Sequence, residues 1–230
     1  MRTAHAAPVL RPTVVVAGAS GFIGEALAVA LSPRFTVVGL SRRPRAARPG
    51  SGVSVWRPVD LVSRSEAEEA LKGARFAVFL VHSFAPSAGL PVAGFADLDL
   101  LAADNFARAA ASAGVEQIVF LSAISGAGRH QESRLEVERA LGAHGVPVTT
   151  LRAGLIVGQG GSSFEITNRL VDRLPFMLLP AWTRTPSQPV ALADVVRELA
   201  DVVGRRECYR KAFEVGGAEI ISYRTMLERT

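Results

Sequence analysis

The feature that most limits what this chain can become is a glycine-spaced turn between a β-branched strand and an apolar-periodic helix. Thr13-Val14-Val15-Val16-Ala17 runs directly into Gly18-Ala19-Ser20-Gly21-Phe22-Ile23-Gly24, after which apolar residues recur at Leu27, Ala30 and Leu31. The first run is short and β-branched, as a strand requires, and the second has helical spacing. That order points the free N–H groups and the positive dipole end of the helix at the turn. A dinucleotide pyrophosphate needs such a place. One glycine permits the tight turn, one lets the backbone approach the phosphates, and one lets helix and strand pack closely. Gly18, Gly21 and Gly24 take these parts, with Ser20, Phe22 and Ile23 supplying backbone beside them. A plain βα turn is the rival reading, and the flanking strand and helix weigh against it.

Strand and helix signals alternate along the rest of the chain. Strands are predicted over residues 35–40, 53–56, 75–81, 115–122, 146–151 and 212–215. Helices are predicted over 65–71, 97–113, 134–143 and 192–203, with a short final one after Ser222. The alanine-rich helix stops at Gly114 and the next at His144-Gly145. Repeated βα alternation predicts an α/β, doubly wound parallel-sheet Rossmann fold. The last third, broken by Pro175, Pro180, Pro186 and Pro189, is expected to form a small irregular C-terminal substrate lobe. Residues 1–12 read as a disordered lead and 13–230 as one domain, with a cofactor core over 13–155 and substrate-side segments over 156–230.

Composition excludes several classes. The single cysteine, Cys208, rules out an internal disulfide and a multi-cysteine metal centre, and no metal-ligand spacing occurs elsewhere. No apolar run approaches the roughly 18 residues of a membrane span, and the N-terminus lacks a signal-peptide core. A cytoplasmic location is expected. The net charge of +5 invites a nucleic-acid reading, but the arginines are scattered and no basic face is interleaved with aromatics. The expected partner is a small molecule, with no nucleic acid and no membrane, in a monomer or homodimer.

The one basic cluster has a use. An acid roughly 20 positions after the glycines would hold the adenosine ribose of NAD. Here the second strand ends in Ser41-Arg42-Arg43, with no acid. Guanidinium groups suit a 2′-phosphate, so NADP is the preferred cofactor, with NAD as the alternative. A solvated basic loop is the plainer reading, to which Arg45 and Arg48 are assigned.

Further segments carry a resemblance. They are Asp60-Leu61, Leu80-Val81-His82-Ser83, Phe120-Leu121-Ser122, Leu151-Arg152-Ala153-Gly154, Gln188-Pro189-Val190 and Asp194-Val195-Val196. With the glycine turn, they make the chain similar to atypical, extended-type short-chain dehydrogenase/reductases of the NAD(P)H-binding, NmrA-like or epimerase-like branch. More narrowly it resembles bacterial proteins in which such a domain precedes a C-terminal domain of unknown function, and so is expected to be a standalone version or a fragment. The resemblance implies that Asp60 and Leu61 lie at the adenine, although Asp60 also suits a simple cap. It places Val81, His82 and Ser83 at a carboxyl edge near the nicotinamide ribose or substrate, while a loop histidine remains an equal reading. It also implies that the backbone of Arg152, Ala153 and Gly154 meets the carboxamide end of the cofactor.

The same resemblance implies a catalytic Ser or Thr after the fifth strand and a Tyr-x-x-x-Lys pair on the next helix. Ser122 or Ser125 supplies the hydroxyl. At the positions of the pair stand His130 and Arg134, and both tyrosines of the chain, Tyr209 and Tyr223, lie far away in sequence. An imidazole exchanges protons near neutral pH, and an arginine holds hydroxyls without deprotonating. A variant dyad is one reading. The other is that Ser133-x-x-Glu136 is a capping box and its neighbours merely begin a helix. The segment from Gly158 to Arg184, including Phe164, Phe176, Met177 and Trp182, is expected to line a substrate pocket or to pack as a lid. An NADP-dependent oxidoreductase follows as the first expectation, a non-catalytic nucleotide-binding sensor or assembly factor as the second, and an epimerase or isomerase as the third.

Overall fold

The computed structural model describes residues 11–81, 92–124, 129–160 and 186–228. In chain order these form β1 (Thr13–Ala17), α1 (Phe22–Leu31), β2 (Thr36–Ser41), β3 (Val55–Pro58), α2 (Arg64–Ala70), β4 (Phe76–Phe79), α3 (Val92–Ser112), β5 (Gln117–Ala123), α4 (Arg129–Gly142) and β6 (Val148–Ala153). There follow β7 (Ile156–Val157), β8 (Pro186–Ser187), β9 (Val190–Ala191), α5 (Leu192–Val202), β10 (Ala212–Val215), β11 (Ile221–Ser222) and α6 (Tyr223–Glu228). Seven strands make one sheet in the order β10-β6-β5-β4-β1-β2-β3, and every pairing in it is parallel. Two short ladders, β11–β8 antiparallel and β7–β9 parallel, stand apart from it. The order reverses between β1 and β4, and a doubly wound sheet opens its ligand crevice at the carboxyl ends of the strands at that point.

The central strands are apolar on both sides because both faces are covered. Val14 and Val16 of β1 look one way, with Val37, Val78, Val119 and Leu151, onto α1 and α5. Val15 and Ala17 look the other way, with Val38, Ala77, Phe79 and Phe120, onto α2, α3 and α4. Helix α5 buries Val195, Val196, Leu199 and Val202, a helical stripe, against the sheet and α1. Five alanines of α3 (102, 103, 107, 109 and 110) are buried, and Phe106 meets Phe79 ring to ring at 5.1 Å. Gly114 ends α3 as expected. It takes φ +72°, which lets the Val115 N–H reach back to the Ala110 carbonyl.

Boundaries shift where tertiary packing extends a local signal. β3 forms two residues later than its apolar run suggested, while α3 begins at Val92 and α4 at Arg129, each upstream of the expected start. The early start of α4 removes the capping-box reading, since Ser133 lies inside the helix and not at its cap.

At the amino end of the sheet a buried polar knot joins distant parts of the chain. The Gln117 side chain, wholly inaccessible, donates to Thr149 Oγ1 (2.7 Å) and the Val202 carbonyl (3.0 Å) and accepts from the Gly204 N–H (2.8 Å). Thr149 in turn donates to the Cys208 carbonyl at 2.8 Å. Further out, His144 after α4 bonds Asp104 of α3 at 2.7 Å. That bond, opposed by partial burial and aided by Arg108, holds the Asp104 carboxyl below the ordinary aspartate range.

A folded-state value below the unfolded one contributes stability above the ordinary aspartate range, and that stability is lost as pH falls through the folded value. The pair is partly exposed, so the contribution is about 0.5 kcal/mol, or a Tm change of about 1–2 °C. Thermal melts of Asp104→Asn and the parent should differ by that amount at neutral pH and converge in acid. An equal gap at both ends of the range would show that the carboxylate charge is not involved.

Candidate nucleotide-binding site

The turn after β1 is built to bring backbone close to whatever lies above it. Gly18 takes φ +86°, and a Cβ there would touch the backbone of Leu80, at 3.1 Å. The Gly21 N–H bonds back to the Gly18 carbonyl at 3.0 Å, and the first helical bond of α1 runs from Glu25 to Gly21 at 2.9 Å. Gly21 caps α1 without a side chain, so the N–H groups of Phe22, Ile23 and Gly24 have no acceptor within the helix. Gly24 is buried against the turn, and a Cβ on it would fall 2.1 Å from the Gly18 oxygen. The bare, positively polarised helix end fits a pyrophosphate. Ala19 is buried and Ser20 half-buried in the same turn.

The carboxyl end of β2 lies next to that turn. Ser41 folds the chain back by donating to the Arg43 carbonyl at 2.6 Å, and Arg42 and Arg43 are exposed. Beyond them a cleft of about 700 Å³ opens, walled by α1 through Glu25 and Val29 and by Arg43, Arg45, Arg48 and Trp56. Arg45 and Arg48 are exposed in the loop after β2, as expected, and they also line this cleft, with the Arg45 guanidinium 5.4 Å above the Trp56 ring. Trp56 carried no signal in the sequence because a lone aromatic in a short strand reads as packing.

One strand farther out on the same side, Asp60 follows β3. Its Oδ1 accepts from the Val62 N–H at 3.0 Å, and its own N–H donates to Glu66 at 2.8 Å. It therefore caps the turn, as the plainer reading had it, while its exposed position leaves it facing solvent beside buried Leu61. Val81 is half-buried after β4, and His82 and Ser83 lie outside the described residues, as do Ser125 and the positions 161–185 that include Phe164, Phe176, Met177, Trp182 and Arg184.

Farther along the carboxyl edge, Ser122 is buried in β5 and paired in register with Arg152 of β6. The alternation of β5 turns Ser122 to the α3–α4 face. From that face Arg134 of α4 reaches in and donates to the Leu121 carbonyl at 3.3 Å, at the strand end that carries Ser122. Burial lowers the Arg134 guanidinium from the ordinary arginine range, with the Asp99 charge opposing, and it stays protonated at neutral pH. His130 falls one turn earlier on α4. The Arg152 side chain turns onto α4 and pairs with Glu138 at 3.2 Å, which leaves backbone as its contribution to the edge. Gly154 is pressed so closely on residue 188 that a Cβ would fall 1.8 Å from the Gln188 carbonyl oxygen. Tyr209 is elsewhere: burial and the Glu116 charge raise its phenol above the usual range, beside Arg75 at the amino end of the sheet.

A family described as NAD(P)H-binding matches residues 18–167. The chain belongs to that NAD(P)H-binding family. Among curated proteins it is 30% identical over 141 residues to the auxiliary protein GraX of Staphylococcus aureus, an alignment covering 61% of this chain and 44% of GraX. The chain thus spans less than half the length of that relative. Among solved structures, MoeE5 in complex with UDP-glucuronic acid and NAD superposes with a TM-score of 0.76 at 23% identity, over 93% of this chain and 79% of MoeE5. UDP-N-acetylglucosamine 4-epimerase from Bacillus cereus gives 0.76 at 15% identity, over 94% and 79% of the two chains. These likenesses establish the Rossmann fold expected from the sequence, and the family match bears out the resemblance to atypical short-chain dehydrogenase/reductases. Among the described residues no helix is long and apolar enough to cross a membrane, and no group of His, Cys, Asp and Glu could hold a metal ion.

The turn after β1 holds two kinds of glycine. Gly24→Ala must push the Gly18 carbonyl aside, at a cost of about 2 kcal/mol or more and a Tm lower by at least about 4 °C. A Cβ on Gly21 meets only the Gly18 oxygen at 3.4 Å, so Gly21→Ala should melt close to the parent yet bind nucleotide at least about tenfold more weakly. Calorimetric melts and nucleotide titration read the two effects separately. Unimpaired binding by folded Gly21→Ala would remove the turn from the site.

Proposed function

We propose that the chain is a cytoplasmic, NADP(H)-dependent oxidoreductase acting on a small carbonyl or alcohol. The observation that carries the cofactor choice is Ser41-Arg42-Arg43 at the end of β2, where an NAD-selective site presents an acid. Guanidinium groups match a 2′-phosphate in charge and bidentate geometry. In this reading Gly18, Ser20, Gly21, Phe22, Ile23 and Gly24 hold the pyrophosphate. Asp60 and Leu61 border the adenine, Val81, His82 and Ser83 the nicotinamide ribose or substrate, and the backbone of Arg152, Ala153 and Gly154 meets the carboxamide end.

When bound, a nicotinamide supplies or accepts the hydride. The chain's part is to hold the substrate oxygen and manage its proton. The Ser122 hydroxyl donates a hydrogen bond to that oxygen, and the His130 imidazole gives or takes the proton near neutral pH. Arg134 holds ribose hydroxyls and stabilises negative charge at the same strand end without losing its own proton.

A second reading, a non-catalytic NADP(H)-binding sensor or auxiliary factor, has its own support. The tyrosine and lysine of the usual pair are replaced by His130 and Arg134, and the relative that is 30% identical is named an auxiliary protein. An isomerase that uses its cofactor transiently comes third.

Fluorescence titration with NADPH and NADH tests the cofactor. The parent should bind NADPH more tightly, and Arg42→Ala/Arg43→Ala should weaken NADPH on the order of tenfold or more while sparing NADH. Binding of neither nucleotide by the parent would overturn the reading. Arg134→Met should weaken both nucleotides alike, by about tenfold, because it acts at the ribose that they share. Steady turnover of a carbonyl panel that is lost in His130→Phe would favour the oxidoreductase, and tight binding without turnover the sensor.

A further inference from the structure

The cleft beyond β2 is larger than two exposed arginines require, and its floor is built. Trp56 of β3 lies against β2 because position 39 is glycine: a Cβ there would fall 2.8 Å from the Trp56 ring and 3.2 Å from the Ala19 Cβ. The indole therefore occupies space beside the glycine-rich turn, and Ala19, Trp56 and Arg43 line one cleft. Over the indole lies the Arg45 guanidinium, 5.4 Å from the ring. Stacking of this kind holds a guanidinium by one face and leaves its N–H edge free to donate.

The loop that carries Arg45 is anchored at both ends. At its start, the Ser41 carbonyl accepts from the Val59 N–H at 2.9 Å while the Ser41 hydroxyl bonds the Arg43 carbonyl. Pro44 then fixes its own φ and keeps Arg43 extended. At its far end Gly52 sits so near the backbone of α1 that a Cβ would lie 2.4 Å from Ala28. Arg43, Arg45 and Arg48 thus face the cleft together against one carboxylate, that of Glu25 on α1. A strongly anionic group at the end of β2 would find Arg43 on one side and the stacked Arg45 on the other.

We infer that Arg45 is a third 2′-phosphate ligand of NADP(H), beside Arg42 and Arg43, and that Trp56 is the positioning residue that holds it over the cleft. The inference rests on the proposed NADP(H) reading and adds to it. Arg42 and Arg43 meet the phosphate from the strand end, and Arg45 closes on it from the loop. Trp56 touches no phosphate itself. Its effect is confined to the nucleotide that carries the extra charge.

The test is a set of NADPH and NADH titrations on the parent, Arg45→Ala, Trp56→Phe, Trp56→Leu and the double variant Arg45→Ala/Trp56→Leu. NADPH binding should weaken about tenfold in Arg45→Ala, about threefold in Trp56→Leu, and little in Trp56→Phe, which keeps a ring under the guanidinium. The double variant should be no weaker than Arg45→Ala, because Trp56 acts through Arg45. NADH affinity should stay level throughout. Arg45 is exposed, so its variant reports even if a change at Trp56 disturbs folding. Weakening by Arg42→Ala/Arg43→Ala without weakening by Arg45→Ala would overturn this inference and leave the cofactor assignment standing. Equal loss of NADH and NADPH in Trp56→Leu would reduce Trp56 to a structural floor and overturn it likewise. Failure of the parent to prefer NADPH would remove both.

Discussion

Everything at the carboxyl edge is positioned by the contact between the Gly18 carbonyl and the Cα of Gly24. With a side chain at position 24 the two could not approach, since its Cβ would be 2.1 Å from that oxygen. The absence of one methyl group therefore sets where α1 begins over the sheet. From α1 the placement passes outward. Leu27, Ala28 and Leu31 seat the helix on Val14 and Val16, α5 packs against it, and Gly52 pins the arginine loop to its back. Dense packing allows no partial adjustment, so a shift at the turn would be felt in all three.

Two chemistries divide the crevice that results. At the end of β2, charge is exposed and plural, where three loop arginines face one glutamate of α1. Exposed charges act at some distance, and salt weakens them. At the end of β5 lies a buried cation, Arg134, with Asp99 opposing the cost of its burial. Its influence is short-ranged and far less sensitive to salt.

The sequence was most legible where one local pattern had one structural meaning. The run from Val14 to Ala17, the glycine turn and the stripe Val195, Val196, Leu199 gave strand, turn and helix with few alternatives. Arg42 and Arg43 were visible as a basic pair at the end of a predicted strand, and they are exposed there. Trp56 and Arg45 were not legible as a pair. They are 11 positions apart in sequence, and only the pairing of β3 on β2 with Gly39 between brings them together. The start of α4 was misplaced for a related reason: Ser133-x-x-Glu136 is a local signal for a cap, and helix continuing upstream to Arg129 overrode it.

The Gln117 knot carries a consequence for how the molecule breathes. One amide group serves Thr149, Val202 and Gly204, and Thr149 extends the chain of bonds to Cys208 just before β10. Lifting α5 from the sheet would strand three buried polar groups at once, and peeling β10 away would pull on the same knot. Helix and edge strand are therefore coupled into one opening unit with a high threshold. The amino end of the sheet acts as a clamp, and any loosening that admits a ligand can be confined to the opposite rim.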